Sequence, residues 1–337
     1  MSTIETILSQ MSSVAKPQRQ FLLTLFNALM YLPSRVNFRN LGRYSDCHEK
    51  TFSRWFSRSF DFLAFNLLIL QDVLHGKGER IAAIDASFVP KSGRKSYGLR
   101  LVLERLTGAG ATRTRIILVS AGGRDPQHGT YTLSARQTPT LPRSTRKGQS
   151  QPANTKDKTK VKHPPFVGAP LPTRMDSYLG QLQHAITVLL GCGIRYLVAD
   201  SFYAKTKFVS GIRELNLHLI SKLRQDADLR WLYTGAQKPK GRHRQYSGKV
   251  SFDDLSRFER VGELDGQRVY TATVNSPTFK QIVRIVYLVR EANGKTASAL
   301  LFSTDTDCPA LDILRYYQAR FQIEFLFRGC QATHRAV

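Results

Sequence analysis

Acidic residues are scarce in this sequence. Asp and Glu number 25 against 50 Lys and Arg, giving a formal net charge of +25. A balance of this kind calls for a polyanionic partner, with nucleic acid first and an anionic membrane surface as the rival. Cysteine is sparse too: Cys47, Cys192, Cys308 and Cys330 stand far apart, with no CxxC pair. That spacing excludes a zinc site and a disulfide framework. Long hydrophobic runs are missing. The longest, Phe62 to Leu70, is interrupted by Asn66 and is too short to span a bilayer. The N-terminal MSTIETILSQ carries an acid and no basic segment, unlike a signal peptide. No internal repeat is visible, and the reducing cytoplasm is the expected compartment.

What is present divides the chain by rhythm. Residues 1–78 read as a helical N-terminal domain: Phe21, Leu22, Leu25, Phe26 and Leu29 recur at helical spacing, and Pro33 ends the run. In NLGRYSDCHEKTFSRWFSRSFDF, Ser45 with His48 and Glu49 gives a capping-type start to a helix bearing Arg54, Trp55 and Arg58. A helix, a turn and a second basic helix suit a helix-turn-helix on DNA, with Arg54 and Arg58 as candidate contacts. A small helical bundle with a solvated basic face fits the same residues. Gly76-Lys77-Gly78 marks the expected boundary.

From residue 79 the pattern turns to α/β. Ile81 to Ile84 is a short apolar strand ending in Asp85, followed by a basic turn with Lys91 and Arg94; strands are expected at Leu99–Leu106 and Thr114–Ser120. Residues 136–173, rich in Pro, Ser, Thr and Lys, read as a basic loop that is either a solvated linker or a DNA-tracking segment. Met175–Leu190 has helical periodicity. Arg195–Ala199 is a second apolar strand ending in an aspartate, Asp200, with Lys205 opening the helix after it. Leu217–Leu223 completes an α/β unit, so the first part of a catalytic core spans 79–224. Residues 225–305 read as a strand-rich insertion with a further basic patch, KPKGRHRQYSGK. Residues 306–337 read as a closing helical segment.

That closing segment, LDILRYYQARFQIEFLFRGCQ, is expected to form one helix over 311–331. At about 100° per residue, Tyr317, Arg320, Glu324, Arg328 and Gln331 fall on one narrow face. Ordinary Arg–Glu pairing on a surface helix fits this face. So does a carboxylate for a metal flanked by cations for phosphates. In an α/β sheet, functional residues gather beyond the carboxyl ends of strands. Asp85 and Asp200 with Glu324 therefore form a candidate set of three carboxylates able to hold a pair of Mg²⁺ ions about 4 Å apart for phosphodiester chemistry. Asp125, Asp226, Asp228, Asp305 and Asp307 are competing acids in turn-like or polar settings. The bland alternative for an Asp after a strand is a helix N-cap or turn residue.

Four stretches carry a family resemblance: IAAIDASFVPKSG, YLVADSFYAK, KLRQDADLRWLYTG and YYQARFQIEFLFRGCQ. The chain resembles the DDE transposases of bacterial insertion sequences, in particular the IS-four family. The signature of that family is Tyr, two residues, Arg, three residues, Glu, six residues, Lys. Here it reads Tyr317, Arg320, Glu324 and then Gln331, a neutral residue where the family has Lys. The resemblance implies a ribonuclease H-like core with a β-rich insertion and an N-terminal helical domain. It implies Asp85, Asp200 and Glu324 as catalytic residues and ligands of Mg²⁺, with Mn²⁺ as a substitute. Tyr317 and Arg320 would hold transposon-end phosphates, and the partners would be double-stranded DNA and a second copy in a synaptic homodimer. The activity implied is cut-and-paste transposition at terminal inverted repeats, in a nucleoid-associated protein. Family members continue for a further helical stretch where this chain ends at Val337. A shortened copy that binds ends without cutting is therefore the alternative expectation.

Overall fold

The computed structural model describes residues 3–33, 36–73, 79–90, 100–101, 110–122, 130–138, 173–292 and 294–322. Several expectations lie outside these residues: the boundary at Gly76–Gly78, Lys91 and Arg94, nearly all of the basic loop 136–173, and Glu324, Arg328 and Gln331.

Five helices open the chain: α1 (Thr3–Gln10), α2 (Lys16–Tyr31), α3 (Phe38–Arg43), α4 (Glu49–Phe56) and α5 (Phe62–Val73). Their apolar stripes meet in two small cores, one around Ile7, Leu8, Met11, Leu22 and Phe65 and one around Ala28, Leu41 and Phe52. The cap of α4 differs from expectation. His48, not Ser45, holds the N-cap, its Nδ1 accepting from Lys50 N–H at 3.2 Å. The Ser45 hydroxyl instead donates back to the Leu41 carbonyl at 2.8 Å, which ends α3 and removes it from competition.

The remaining chain is mixed α/β around one sheet. Its strands are β1 (Glu79–Pro90), β2 (Arg100–Leu101), β3 (Gly110–Gly122), β4 (Thr130–Gln137), β5 (Tyr196–Ala199), β6 (His218–Leu223), β7 (Arg230–Leu232), β8 (Tyr246–Lys249), β9 (Glu259–Leu264), β10 (Gln267–Ser276), β11 (Gln281–Ala292) and β12 (Lys295–Ser303). The helices are α6 (Arg174–Gly191), α7 (Thr206–Glu214) and α8 (Ala310–Ala319). Strands β4, β3 and β1 are antiparallel neighbours, and β1, β5 and β6 are parallel ones. This order and sense is the ribonuclease H-like arrangement. Beyond β6 the sheet continues antiparallel through β12, β11, β10, β7 and β8. The strand-rich stretch is thus an extension of the same sheet.

Both faces of the central strands are covered, which is why their sequences are continuously apolar rather than alternating. Ala82, Ile84, Leu197, Ala199 and Leu219 point to one side, with α6 and α7 residues Tyr178, Leu182, Phe208 and Ile212. Ile81, Ala83, Tyr196, Val198 and Ile220 point to the other, against Ile313, Leu314 and Tyr316 of α8. Helices α6 and α7 approach closely where a Cβ on Gly211 would come within 2.6 Å of Leu179. Helix α5 ties the N-terminal helices to the sheet: Leu70 joins the core, and the Asn66 amide donates to the Leu133 carbonyl of β4 at 3.0 Å.

Helix α6 begins with a capping box, in which Thr173 Oγ1 accepts from Asp176 N–H and the Asp176 carboxylate accepts from Thr173 N–H at 2.6 Å. Lys207 of α7 pairs with the same carboxylate. The Lys207 hydrogen bond, then those from Thr173, hold the Asp176 pKa down at about 2, below the usual carboxylate range. A depressed carboxylate stabilises the fold above its unfolded value and loses that contribution as pH falls through the folded one. Asp176→Ala is therefore expected to cost about 1 kcal/mol in urea denaturation at pH 7. The difference from the parent should shrink as pH drops from about 4 towards 2.

Candidate active site

The register of two parallel strands builds the site. Ala82, Ala83 and Ile84 of β1 lie beside Leu197, Val198 and Ala199 of β5. Asp85 follows Ile84 within β1 and Asp200 follows Ala199 just past the end of β5, so the register leads both candidate carboxylates out side by side at this end of the sheet. By alternation Asp85 shares the side of Ile81 and Ala83, and Asp200 that of Tyr196 and Val198, which is the side α8 covers.

The expectation that Asp85 ends its strand is corrected. β1 runs on to Pro90, paired along its whole length with β3, and Asp85 stands opposite Ile116. Only the parallel pairing stops at Ile84, because β5 ends at Ala199. Asp85 is thus held in regular strand geometry by β3, one residue past the end of the β5 ladder. Its Oδ1 accepts from Ala86 N–H at 2.7 Å.

Asp200 is held differently. Its Oδ1 accepts from Phe202 N–H at 2.8 Å, capping a single 3-10 turn over Ser201–Tyr203. Its backbone carbonyl accepts from the Ser221 hydroxyl at 2.8 Å, a contact from β6 that the sequence did not announce. The turn is anchored by Tyr203, whose ring packs at 5.2 Å from Tyr178 and 5.0 Å from Phe208. The N-cap role is real, yet it uses one carboxylate oxygen. Oδ2 accepts no hydrogen bond among the described residues.

Helix α8 supplies the third side. It starts at Ala310, and Arg320 caps it with helical backbone angles. Residues 321 and 322 are again helical, and the Gln322 side chain bonds to Thr130 of β4. Arg320 is 8% exposed, and its Nη1 lies 3.3 Å from Asp85 Oδ2. Its guanidinium is also near the rings of Tyr317 and Phe321, at 5.7 and 5.3 Å. Tyr317 is half-buried, and burial pushes its hydroxyl above the ordinary value. Arg320 opposes that shift, while the charges of Asp200 and Asp85 add to it. The phenol therefore stays a proton-bearing donor, within electrostatic reach of both carboxylates.

Of the other candidates, Lys205 is exposed beyond the Asp200 turn, its ammonium 4.2 Å from the Phe202 ring. Arg54 is exposed on α4. Arg58 lies just past that helix, 4.1 Å over the Trp55 ring, which itself stacks on Phe21. Neither arginine is part of the Asp85–Asp200 cluster. Three competing acids serve local structure: Asp226 pairs with Arg224, Asp228 with Arg230, and Asp305 accepts from the Tyr196 hydroxyl at 2.7 Å. Tyr196 begins β5 and Asp200 follows its end, so Asp305 stands at the opposite end of that strand.

Hard carboxylate oxygens with few protein donors suit Mg²⁺, which keeps several waters. Asp85, paired with Arg320, and Asp200, which spends one oxygen on the Phe202 N–H, fit that description as a pair. Among the described residues no third His, Cys, Asp or Glu joins them, and Glu324 lies outside those residues.

A search of curated proteins gives no match. Among solved structures the chain is similar to a piggyBac transposase synaptic complex with hairpin DNA, determined by cryo-EM. Identity is 10% and the TM-score 0.37, with 98% of this chain covered and 59% of that one. The chain thus spans less than two thirds of the length of that protein. The model of the DDE superfamily endonuclease family matches residues 10–276, a span that holds both aspartates and most of the sheet, and the chain belongs to that family.

Proposed function

We propose that the chain is a transposase of the IS-four group, which cuts DNA at the terminal inverted repeats of an insertion sequence and joins the freed 3′-hydroxyl to target DNA. One observation carries the proposal: the β1–β5 register sets Asp85 beside Asp200, under a helix that delivers Tyr317 and Arg320 to the same place. Membership of an endonuclease family supports it.

In this proposal Asp85, Asp200 and Glu324 would hold the divalent ion, Mg²⁺ or Mn²⁺. When bound, such an ion neutralises charge on the scissile phosphate and makes the attacking oxygen easier to deprotonate. The chain's own residues do the rest. In strand cleavage, water attacks phosphorus and the 3′-oxygen leaves with its electron pair and gains a proton. Strand transfer is the same displacement with the freed 3′-hydroxyl as nucleophile, so no protein nucleophile is required. The Tyr317 hydroxyl donates to a phosphate oxygen, and Arg320 can move from Asp85 to an incoming phosphate, exchanging one anionic partner for another. Lys205, Lys91, Arg94, Arg328 and Gln331 hold the flanking backbone, while Arg54 and Arg58 contact duplex from the helical domain. A homodimer holds two ends together. No described helix is long and apolar enough to cross a membrane.

The test is a labelled duplex carrying the sequences that flank the gene, incubated with the protein in Mg²⁺ or in EDTA. New 3′-hydroxyl ends in Mg²⁺ alone are expected. Cleavage that persists in EDTA, or binding without cleavage in both Mg²⁺ and Mn²⁺, would overturn the proposal.

A further inference from the structure

The outer edge of the sheet carries cations that the carboxylate site does not use. From Leu229 to Lys249 the chain has six Lys or Arg and no Asp or Glu. Lys238, Lys240, Arg242 and Arg244, with His243, lie in the loop joining β7 to β8, and every residue from Thr234 to Gln245 is exposed.

This loop is built from within. The Gln237 side chain closes it, its amide nitrogen donating to the Arg244 carbonyl at 2.8 Å and its oxygen accepting from Arg244 N–H at 2.9 Å. One side chain thereby reproduces the paired bonds of an antiparallel bridge. Tyr233 supports the base. Its N–H donates to the Gln245 carbonyl at 2.9 Å, and its hydroxyl donates to the Ala236 carbonyl at 3.0 Å. Gly235 lets the Tyr233 hydroxyl pack close, since a Cβ there would meet its oxygen at 2.7 Å and push the side chain aside. Arg244 lies with its guanidinium 4.9 Å from the Tyr233 ring centre, and its Nε donates to the Tyr246 carbonyl at 3.0 Å. Its two terminal nitrogens have no acceptor among the described residues. Behind it, Arg257 rests 4.4 Å over Trp231 and donates to Ser247 at 2.8 Å.

Like charges held together in a closed loop repel one another, and no acid within the loop relieves them. A pre-oriented guanidinium with open N–H groups, set among ammonium groups, matches phosphate oxygens. Strand sense also favours DNA. β6 is parallel to β5, and β12, β11, β10 and β7 then alternate, so β7 runs in the same sense as β5. By topology the loop leaves the end of the sheet at which Asp200 follows β5, and the sheet's twist sets the angle between them. Five strand spacings separate β5 from β7, about 24 Å along the sheet, or on the order of seven base pairs of duplex.

We infer that the β7–β8 loop is a phosphate clamp that grips duplex DNA outside the cleaved step, an inference that rests on the proposed function. The test compares the parent chain with two double variants. One removes charge (Lys240→Ala with Arg242→Ala), and the other keeps it (Lys240→Arg with Arg242→Lys). Binding of a labelled duplex longer than the site-to-loop span is followed against salt. Loss of two phosphate contacts should lower the slope of log K against log salt by about 1.8 and weaken binding about tenfold or more at about 0.1 M salt. The charge-keeping variant should bind like the parent. If the parent binds and the charge-removing variant matches it in affinity and slope, the clamp is overturned while the proposed function stands. If the parent binds no duplex, both fall together. Loop-dependent binding to anionic phospholipid vesicles but not to duplex would also overturn the assignment to DNA.

Discussion

Asp200→Asn is expected to reduce metal-dependent nicking of duplex DNA by about 10³-fold or more, with duplex binding held within a few-fold of the parent. The substitution is nearly isosteric. The amide oxygen can still accept from Phe202 N–H, so the 3-10 turn after β5 keeps its cap. What disappears is the negative charge on the side that faces Asp85. Asp85→Asn should lose activity to a similar degree and cost more stability, because it also removes the charge that faces the buried Arg320 guanidinium. Single-turnover nicking with a parallel gel shift separates the chemistry from DNA binding, and thermal melting separates both from folding. Activity within tenfold of the parent for Asp200→Asn would remove Asp200 from the site.

The second large effect concerns α8. Ile313 is fully buried against the face formed by Ile81, Val198 and Ile220. Ile313→Ala should cost about 2–4 kcal/mol in urea denaturation, the transfer loss plus the cavity left behind. The damage should be local first. Amide exchange in α8 should rise before that in β1 and β5, because α8 docks on the sheet as a separate piece. Nicking should fall with it, since Tyr317 and Arg320 are carried by α8 and its C-cap. A change below about 0.5 kcal/mol, or protection unchanged in α8, would contradict this packing.

Some of this was legible in the residues. IAAI before Asp85 and YLVA before Asp200 announce strands covered on both faces, and the periodicity around Tyr178 announces α6. β4 is not legible in the sequence because YTLSARQ offers only Leu133 as a fully buried apolar anchor, in a stretch that turns basic and Pro-rich. It absorbs Arg136 and Gln137, so the basic loop starts later than composition indicates. β7 and β9 leave little local signal for related reasons: one is only three residues long, and the other pairs around a bulge. The expected strand Leu99–Leu106 is described only at Arg100–Leu101.

At the site, sequence could nominate Asp85 and Asp200 but not their register, because which strands pair in parallel is a property of the whole sheet. Nor could it foresee that Arg320 meets Asp85, a contact between residues 235 positions apart. Helical spacing placed Tyr317 and Arg320 on one face. Only packing decides that this face turns towards the carboxylates.

The most direct test of the central claim is Mn²⁺ binding to the parent, Asp85→Asn, Asp200→Asn and the double variant, followed by electron paramagnetic resonance or calorimetry. If the two aspartates share one centre, each single substitution removes most of the affinity and the double variant loses little more, a strongly non-additive cycle. Additive losses, or singles that bind like the parent, would mean that the carboxylates stand side by side without forming a common site.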